Sequence, residues 1–394
     1  MEYEHQSKTL IPGTYEEHEP PTRKGAGPSI RRESQKVRRN RLYPQYAFPK
    51  KKQMKTSRRK FLLNGLLMSA GALLLPGFMS KESGKIMTVN GLIPSRKIGL
   101  TLVHEHVLVD FIGAAYTGKS RYNIDEVVKV AFPFLEAIKV MGVQTFIDCT
   151  PAYVGRDVNL LKRLADSTGM NLLTTTGYYG AVNEKYVPIQ AFNESAQQLA
   201  NRWVDEWTNG IEGTNIRPGL IKTSTDKGPL TPVQRKLIEA AAITHLKTGL
   251  TIGIHTGDGA AAMEQLEILK AQGVSPAAKI WFHAHSEPDH AFHIKTAKLN
   301  SWLSFDGVNP QTLMDNLKYL QTMKASGLLH RVLVSQDSGW YNVGEPGGGN
   351  FYPYTCILTD FIPLLQKNGF TAQELELLFR TNPAAAFSIK VRRG

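Results

Sequence analysis

From Ile86 onward, short apolar runs alternate with longer amphipathic stretches. The apolar runs predict strands at 100–109, 143–149, 171–177, 217–223, 250–255, 279–285, 302–307 and 331–336. The stretches between them carry helical periodicity. In "DEVVKVAFPFLEAIKVMG", Val127, Val128, Ala131, Phe134, Leu135 and Ile138 fall on one stripe. In "TPVQRKLIEAAAITHLKTG", Thr231 reads as N-cap, Pro232 as first helical residue, Gln234 as capping-box partner and Gly249 as the stop. Strands alternating with helices predict a parallel sheet. Eight such units in about 300 residues predict an α/β fold of the (β/α)8 TIM-barrel type, for which ~250 residues is usual. An open doubly wound sheet is the alternative. It would bring a glycine-rich phosphate loop after its first strand, and none is present. The "GEPGGGN" at 344–350 follows the eighth strand, lacks the Gly-Lys-Ser/Thr of a P-loop, and reads as a flexible loop at the active end.

The N-terminal part has a different pattern. Residues 1–53 are polar, rich in Pro, Lys and Arg, and without periodicity, so a disordered basic extension is expected. "MKTSRRKFLLNGLLMSAGALLLPGFMS", residues 54–80, joins a basic segment to an apolar run from Phe61 to Leu75. We expect residues 54–82 to be a signal peptide of twin-arginine type, read by the export machinery through Arg58-Arg59 and directing the protein to a bacterial periplasm. The run falls short of the ~20 apolar residues that span a bilayer. An uncleaved anchor or a buried helix is the alternative. Met54 opens a well-formed signal, so residues 1–53 are expected not to be translated in the native protein. The barrel domain is then 86–394.

Charge follows the same division. The first 60 residues hold 16 Lys/Arg against 6 Asp/Glu, and the remainder 31 against 28. The net charge of +13 therefore belongs mostly to the tail, and a nucleic-acid footprint on the folded part is not supported. Two cysteines, Cys149 and Cys356, exclude a disulfide framework and a CxxC zinc site; a single disulfide stays open.

In barrels of this type the chemistry sits at the C-terminal ends of the strands. The polar residues there are His104 and His106 in "GLTLVHEHVLVDF", Lys222 in "GLIKTS", His255 in "TIGIHTG", His285 in "IWFHAHSE" and Asp337 in "VLVSQD". His104 and His106 share one strand face. Four imidazoles and a carboxylate converging on the axis are costly unless they hold something. Divalent metal suits them, imidazole favouring zinc. An ammonium beside metal ions is unfavourable, but a buried neutral amine reacts with carbon dioxide to give an anionic carbamate. Lys222 in that form can bridge two metals, which makes sense only at a binuclear centre. His283 reads as a core residue one layer deeper than His285. His245, His290, His293 and His330 fall in helices or loops and read as structural.

These segments, with "GVQTFIDCTPAYVGRDVNLLKRLADSTGMNLLTTTGYY", "HSEPD" and "TNPAAAF", resemble the phosphotriesterase family of the amidohydrolase superfamily from about Val89 to Phe387. The resemblance implies a binuclear, zinc-type centre. His104, His106 and Asp337 would bind the buried metal, His255 and His285 the exposed one, and carbamylated Lys222 would bridge them with a hydroxide. Tyr179 matches a pocket tyrosine of the lactonase branch. The implied reaction is attack of that hydroxide on a lactone, carboxylic ester or phosphoester, with Asp337 as proton acceptor. A small-molecule substrate is the implied partner, and a homodimer is compatible. An amide-bond hydrolase, or a catalytically silent metal-binding member, are the alternatives. The loop "SGWYNVGEPGGGNFYPY" departs from organophosphate hydrolases and acyl-homoserine lactonases alike. Its Trp340, Tyr341 and Phe351 either wall the pocket, with Trp340 binding substrate, or pack the loop onto the barrel.

Overall fold

The computed structural model describes residues 84–394; the basic extension and the signal segment lie outside them. A hairpin, β1 (Lys85–Thr88) and β2 (Gly91–Pro94), comes first and was not expected from the pattern. The barrel strands follow: β3 (Leu100–Val109), β4 (Val143–Asp148), β5 (Asn171–Leu173), β6 (Thr175–Thr176), β7 (Leu220–Thr225), β8 (Ile252–Thr256), β9 (Lys279–Phe282), β10 (Trp302–Phe305), β11 (Val332–Val334) and β12 (Gly339–Asn342). They form two parallel sheets, ordered β12-β3-β4-β5 and β6-β7-β8-β9-β10-β11. The sheets meet twice. Thr174 separates β5 from β6, and its carbonyl accepts from Gly219 N at 2.8 Å. Residues 335–338 separate β11 from β12. There Asp337 N donates to His104 O at 3.0 Å, and His106 N to Ser338 O at 2.9 Å. The third and eighth barrel strands are each two short pieces, and the fold is the expected (β/α)8 barrel.

Local chemistry accounts for the helices. In Ile124–Val140, Asn123 caps by accepting from Asp125 N and Glu126 N, and Val127, Ala131, Leu135 and Ile138 are buried. Pro232–Thr248 starts with the Thr231–Gln234 capping box and ends at Gly249, whose φ of 75° is the left-handed stop. Ile86 of the hairpin joins Ile98, Val103, Ile147, Leu173, Leu220, Ile280, Leu333 and Phe387 in one buried cluster that fills the barrel beneath the polar end. Both cysteines are unpaired. Among the described residues no helix is long and apolar enough to cross a membrane.

Candidate metal centre

Strand alternation puts His104 and His106 on one face of β3, with ring centroids 5.3 Å apart. Each ring has one nitrogen committed. His104 Nδ1 lies 2.7 Å from Asp306 Oδ2, and His106 Nδ1 lies 2.7 Å from Thr150 Oγ1. The Nε2 atoms face Asp337 Oδ1, at 3.9 Å from His104 and 3.1 Å from His106. Burial and the Lys222 ammonium push His104 down to about 3, against the pull of Asp306. Burial and His283 also hold His255 well below the ordinary imidazole value. A neutral His104 that gives its Nδ1–H to Asp306 aims its Nε2 lone pair inward, the arrangement of metal-binding histidines. Two donor sets each lie within 4.8 Å: His104, His106 and Asp337, and His104, His283 and Asp306. This chemistry fits divalent metal.

The carboxylates stay ionised for a shared reason. Burial alone raises both, but His283 and His104 hold Asp306 well below the usual carboxylate range, and His104 and His106 do the same for Asp337. Lys222 is buried, with Nζ 3.3 Å from His104 Nε2 and 4.0 Å from the centroid of the Phe282 ring. Its pKa is lowered by burial, opposed by Cys149, Asp306 and Asp337. Tyr179 stands 5.2 Å from the His255 ring and Trp340 6.2 Å from that of His106.

Strand six departs from the alternation that the sequence reading assumed. The strand ends at Phe282, and His283 takes a left-handed φ of 60° before a 3-10 turn. Alternation stops at that residue. His283, expected in the core, therefore faces the centre: its ring is 4.3 Å from His255 and 4.8 Å from His104, and Nδ1 is 3.0 Å from Asp306 Oδ1. His285, expected as a ligand, belongs to neither donor set, and nor does His255. Its Nδ1 reaches Asp306 Oδ1 at 3.3 Å, and its ring lies where a side chain at Gly307 would be, 2.4 Å from an added Cβ.

Asp306 and Glu105 went unread in the sequence. Asp306 follows β10 directly, a strand-end position of the kind that singled out the others. Glu105, between the two histidines, points away from them. Its carboxylate accepts from Ser335 Oγ, Gln336 N and Ser338 N at 2.7, 3.1 and 2.8 Å. These bonds hold the turn in which Asp337 adopts a φ of 53° and so set its carboxylate over the histidines. Of the three loop aromatics only Trp340 faces the site. Tyr341 lies against Gly348, and Phe351 packs on Phe134 and Tyr354, which fixes the loop to the barrel.

A parallel barrel with imidazole and carboxylate donors gathered at its C-terminal end defines a (β/α)8 protein with side-chain groups that could hold a metal ion. A sequence model of the Phosphotriesterase family matches residues 84–387, and the chain belongs to that family. It is 31% identical over 296 residues to the phosphotriesterase homology protein of Escherichia coli K12, covering 73% of this chain and 98% of that one. It is 25% identical over 354 residues to the N-acetyltaurine hydrolase of Homo sapiens, covering 79% and 100%. Among solved structures, a mutant of the PTE-like lactonase of Deinococcus radiodurans superposes with a TM-score of 0.70 at 28% identity, over 77% of this chain and 99% of that one.

Proposed function

We propose that the protein is a metal-dependent hydrolase of an ester-type bond in a lactone, a carboxylic ester or a phosphoester. One observation carries this reading: the Nε2 atoms of His104 and His106 and a carboxylate oxygen of Asp337 gather at one point, with Lys222 Nζ beside His104 Nε2, while each imidazole's Nδ1 is held by Asp306 or Thr150. His104, His106 and Asp337 would hold one divalent ion, zinc being best suited, and His255 with His283 a second. Lys222 would bridge them as a carbamate, since burial moves its amine toward the neutral form that takes up carbon dioxide. Such ions supply a Lewis acid for the scissile C=O or P=O group and water of lowered pKa. Asp306 and Thr150 orient the imidazoles. Asp337, partly exposed, is placed to accept the proton of the attacking water and pass it outward. Tyr179 and Trp340 flank the space above the rings, where the apolar part of a substrate would lie.

Cleavage of an amide bond on the same centre is the second reading, favoured by the similarity to N-acetyltaurine hydrolase. The test is a panel of lactones, phosphotriesters, aryl esters and amides, run with metal-loaded and chelator-treated protein alongside metal analysis. Turnover of an ester class that is lost with the metal supports the proposal. Turnover of amides alone selects the second reading, and bound metal without any turnover identifies a silent member. We also propose export through the Arg58-Arg59 signal.

A further inference from the structure

Two lines of rings run from one lysine to the centre. Along the first, Lys185 Nζ lies 5.4 Å from the Tyr186 ring centroid, Tyr186 is 5.7 Å from Tyr179, and Tyr179 is 5.2 Å from His255. Along the second, Lys185 Nζ donates to Phe111 O at 2.6 Å, Phe111 is 5.8 Å from Trp340, and Trp340 is 6.2 Å from His106. Phe111 and Tyr186 close the outer end at 6.2 Å. The lines run inward to two histidines of the centre, with a cation at their common outer apex.

Lys185 is held there. Its carbonyl accepts from Ala114 N at 3.0 Å, and its stem passes over Gly113, 3.4 Å from where a Cβ would stand. Other cations of these loops are neutralised: Arg121 by Asp110, and Lys119 by Asp157 and Glu212. Nearby carboxylates are also committed, Asp226 to Val182 N and Asn183 N, and Asp258 to Gly228 N and Ala261 N. Among the described residues no carboxylate pairs with Lys185, whose one described acceptor is a neutral carbonyl. An ammonium has three donors, so two are available to a ligand.

We propose that Lys185 determines specificity for substrates that carry a carboxylate or other oxyanion at one end of an apolar body, with the scissile bond at the other. The proposal rests on the hydrolase reading and names its substrate class. The anion binds at the apex, the body lies between the aromatic lines, and the carbonyl reaches the metal-facing histidines two rings further in. A neutral substrate of the same length makes only the apolar contacts.

The test compares two para-nitrophenyl esters of one medium-chain dicarboxylic acid, the far carboxyl free in one and methylated in the other. Wild type, Lys185→Met and Lys185→Glu are assayed, with thermal melts to confirm folding; methionine keeps the stem over Gly113. Wild type should prefer the free acid. Lys185→Met should lower kcat/KM for that ester on the order of tenfold, through KM, and leave the methyl ester roughly unchanged. Lys185→Glu should reverse the preference, and high salt should shrink it in wild type. The same preference in all three proteins, or an equal loss on both esters as expected of a mere loop staple, overturns the proposal. If wild type turns over neither ester, the esterase reading fails separately. Calorimetric titration with phenylbutanoate and phenylbutanamide then decides the role of Lys185: the methionine variant must weaken the anion alone.

Discussion

Lys279 opens β9 with no measurable exposure and no carboxylate partner among the described residues, and Nζ donates to Ala262 O at 3.1 Å. Burial alone pulls its pKa down to about 7. In the unfolded chain the same amine titrates near ~10.4. Between those values the unfolded state binds a proton that the folded state does not, so stability rises with pH across that window. Below about pH 7 the folded state must bury an ammonium, and the full penalty applies. At 1.36 kcal/mol per unit, the difference amounts to about 5 kcal/mol, an upper figure for a site that relaxes on protonation. Lys279→Met keeps the length of the side chain and removes the charge. It should be more stable than wild type at pH 6 by on the order of 2–4 kcal/mol, and the gap should close toward pH 10. Urea unfolding of both proteins at a series of pH values measures this, because all other titrations cancel in the difference. Parallel stability curves, or a variant less stable at pH 6, would refute the argument that Lys279 is buried largely as the free amine.

Three further outcomes are expected. His283→Ala should lower the bound metal, whereas His285→Ala should retain it; elemental analysis of both purified proteins distinguishes the strand-six histidines, and the opposite result would return the ligand role to His285. Asp337→Asn keeps one coordinating oxygen but is a poor proton acceptor, so metal content should fall modestly and the rate by ~10²–10⁴-fold; near-normal turnover with metal retained would remove Asp337 as proton acceptor. Changing Arg58-Arg59 to Lys-Lys should abolish recovery beyond the cytoplasmic membrane, and unchanged periplasmic recovery on cell fractionation would remove the export assignment.

Much of the barrel was readable in the chain because its elements obey rules that act within a few residues. The capping box at Thr231 and Gln234, the stop at Gly249 and the buried stripe of Ile124–Val140 depend on backbone periodicity and local donors alone. The shared face of His104 and His106 follows from the same period of two, as long as the strand continues. Where the strand stops, so does that inference. His283 and His285 are two apart like the first pair, yet the left-handed turn at His283 sends one ring to the centre and the other over Gly307. Nothing within β9 itself announces that turn. Asp306 N-terminal to Gly307 holds it, accepting from His283 N at 3.0 Å from 23 residues away in sequence. The position of Asp337 depends on Glu105, 230 residues from Ser335, and the choice of Trp340 over Tyr341 and Phe351 depends on how the last loop packs against the first helix. These are contacts between separate strands and loops. Local periodicity specifies which side of an element a residue occupies, but which atoms finally meet is set by barrel closure and by the turns that end each strand.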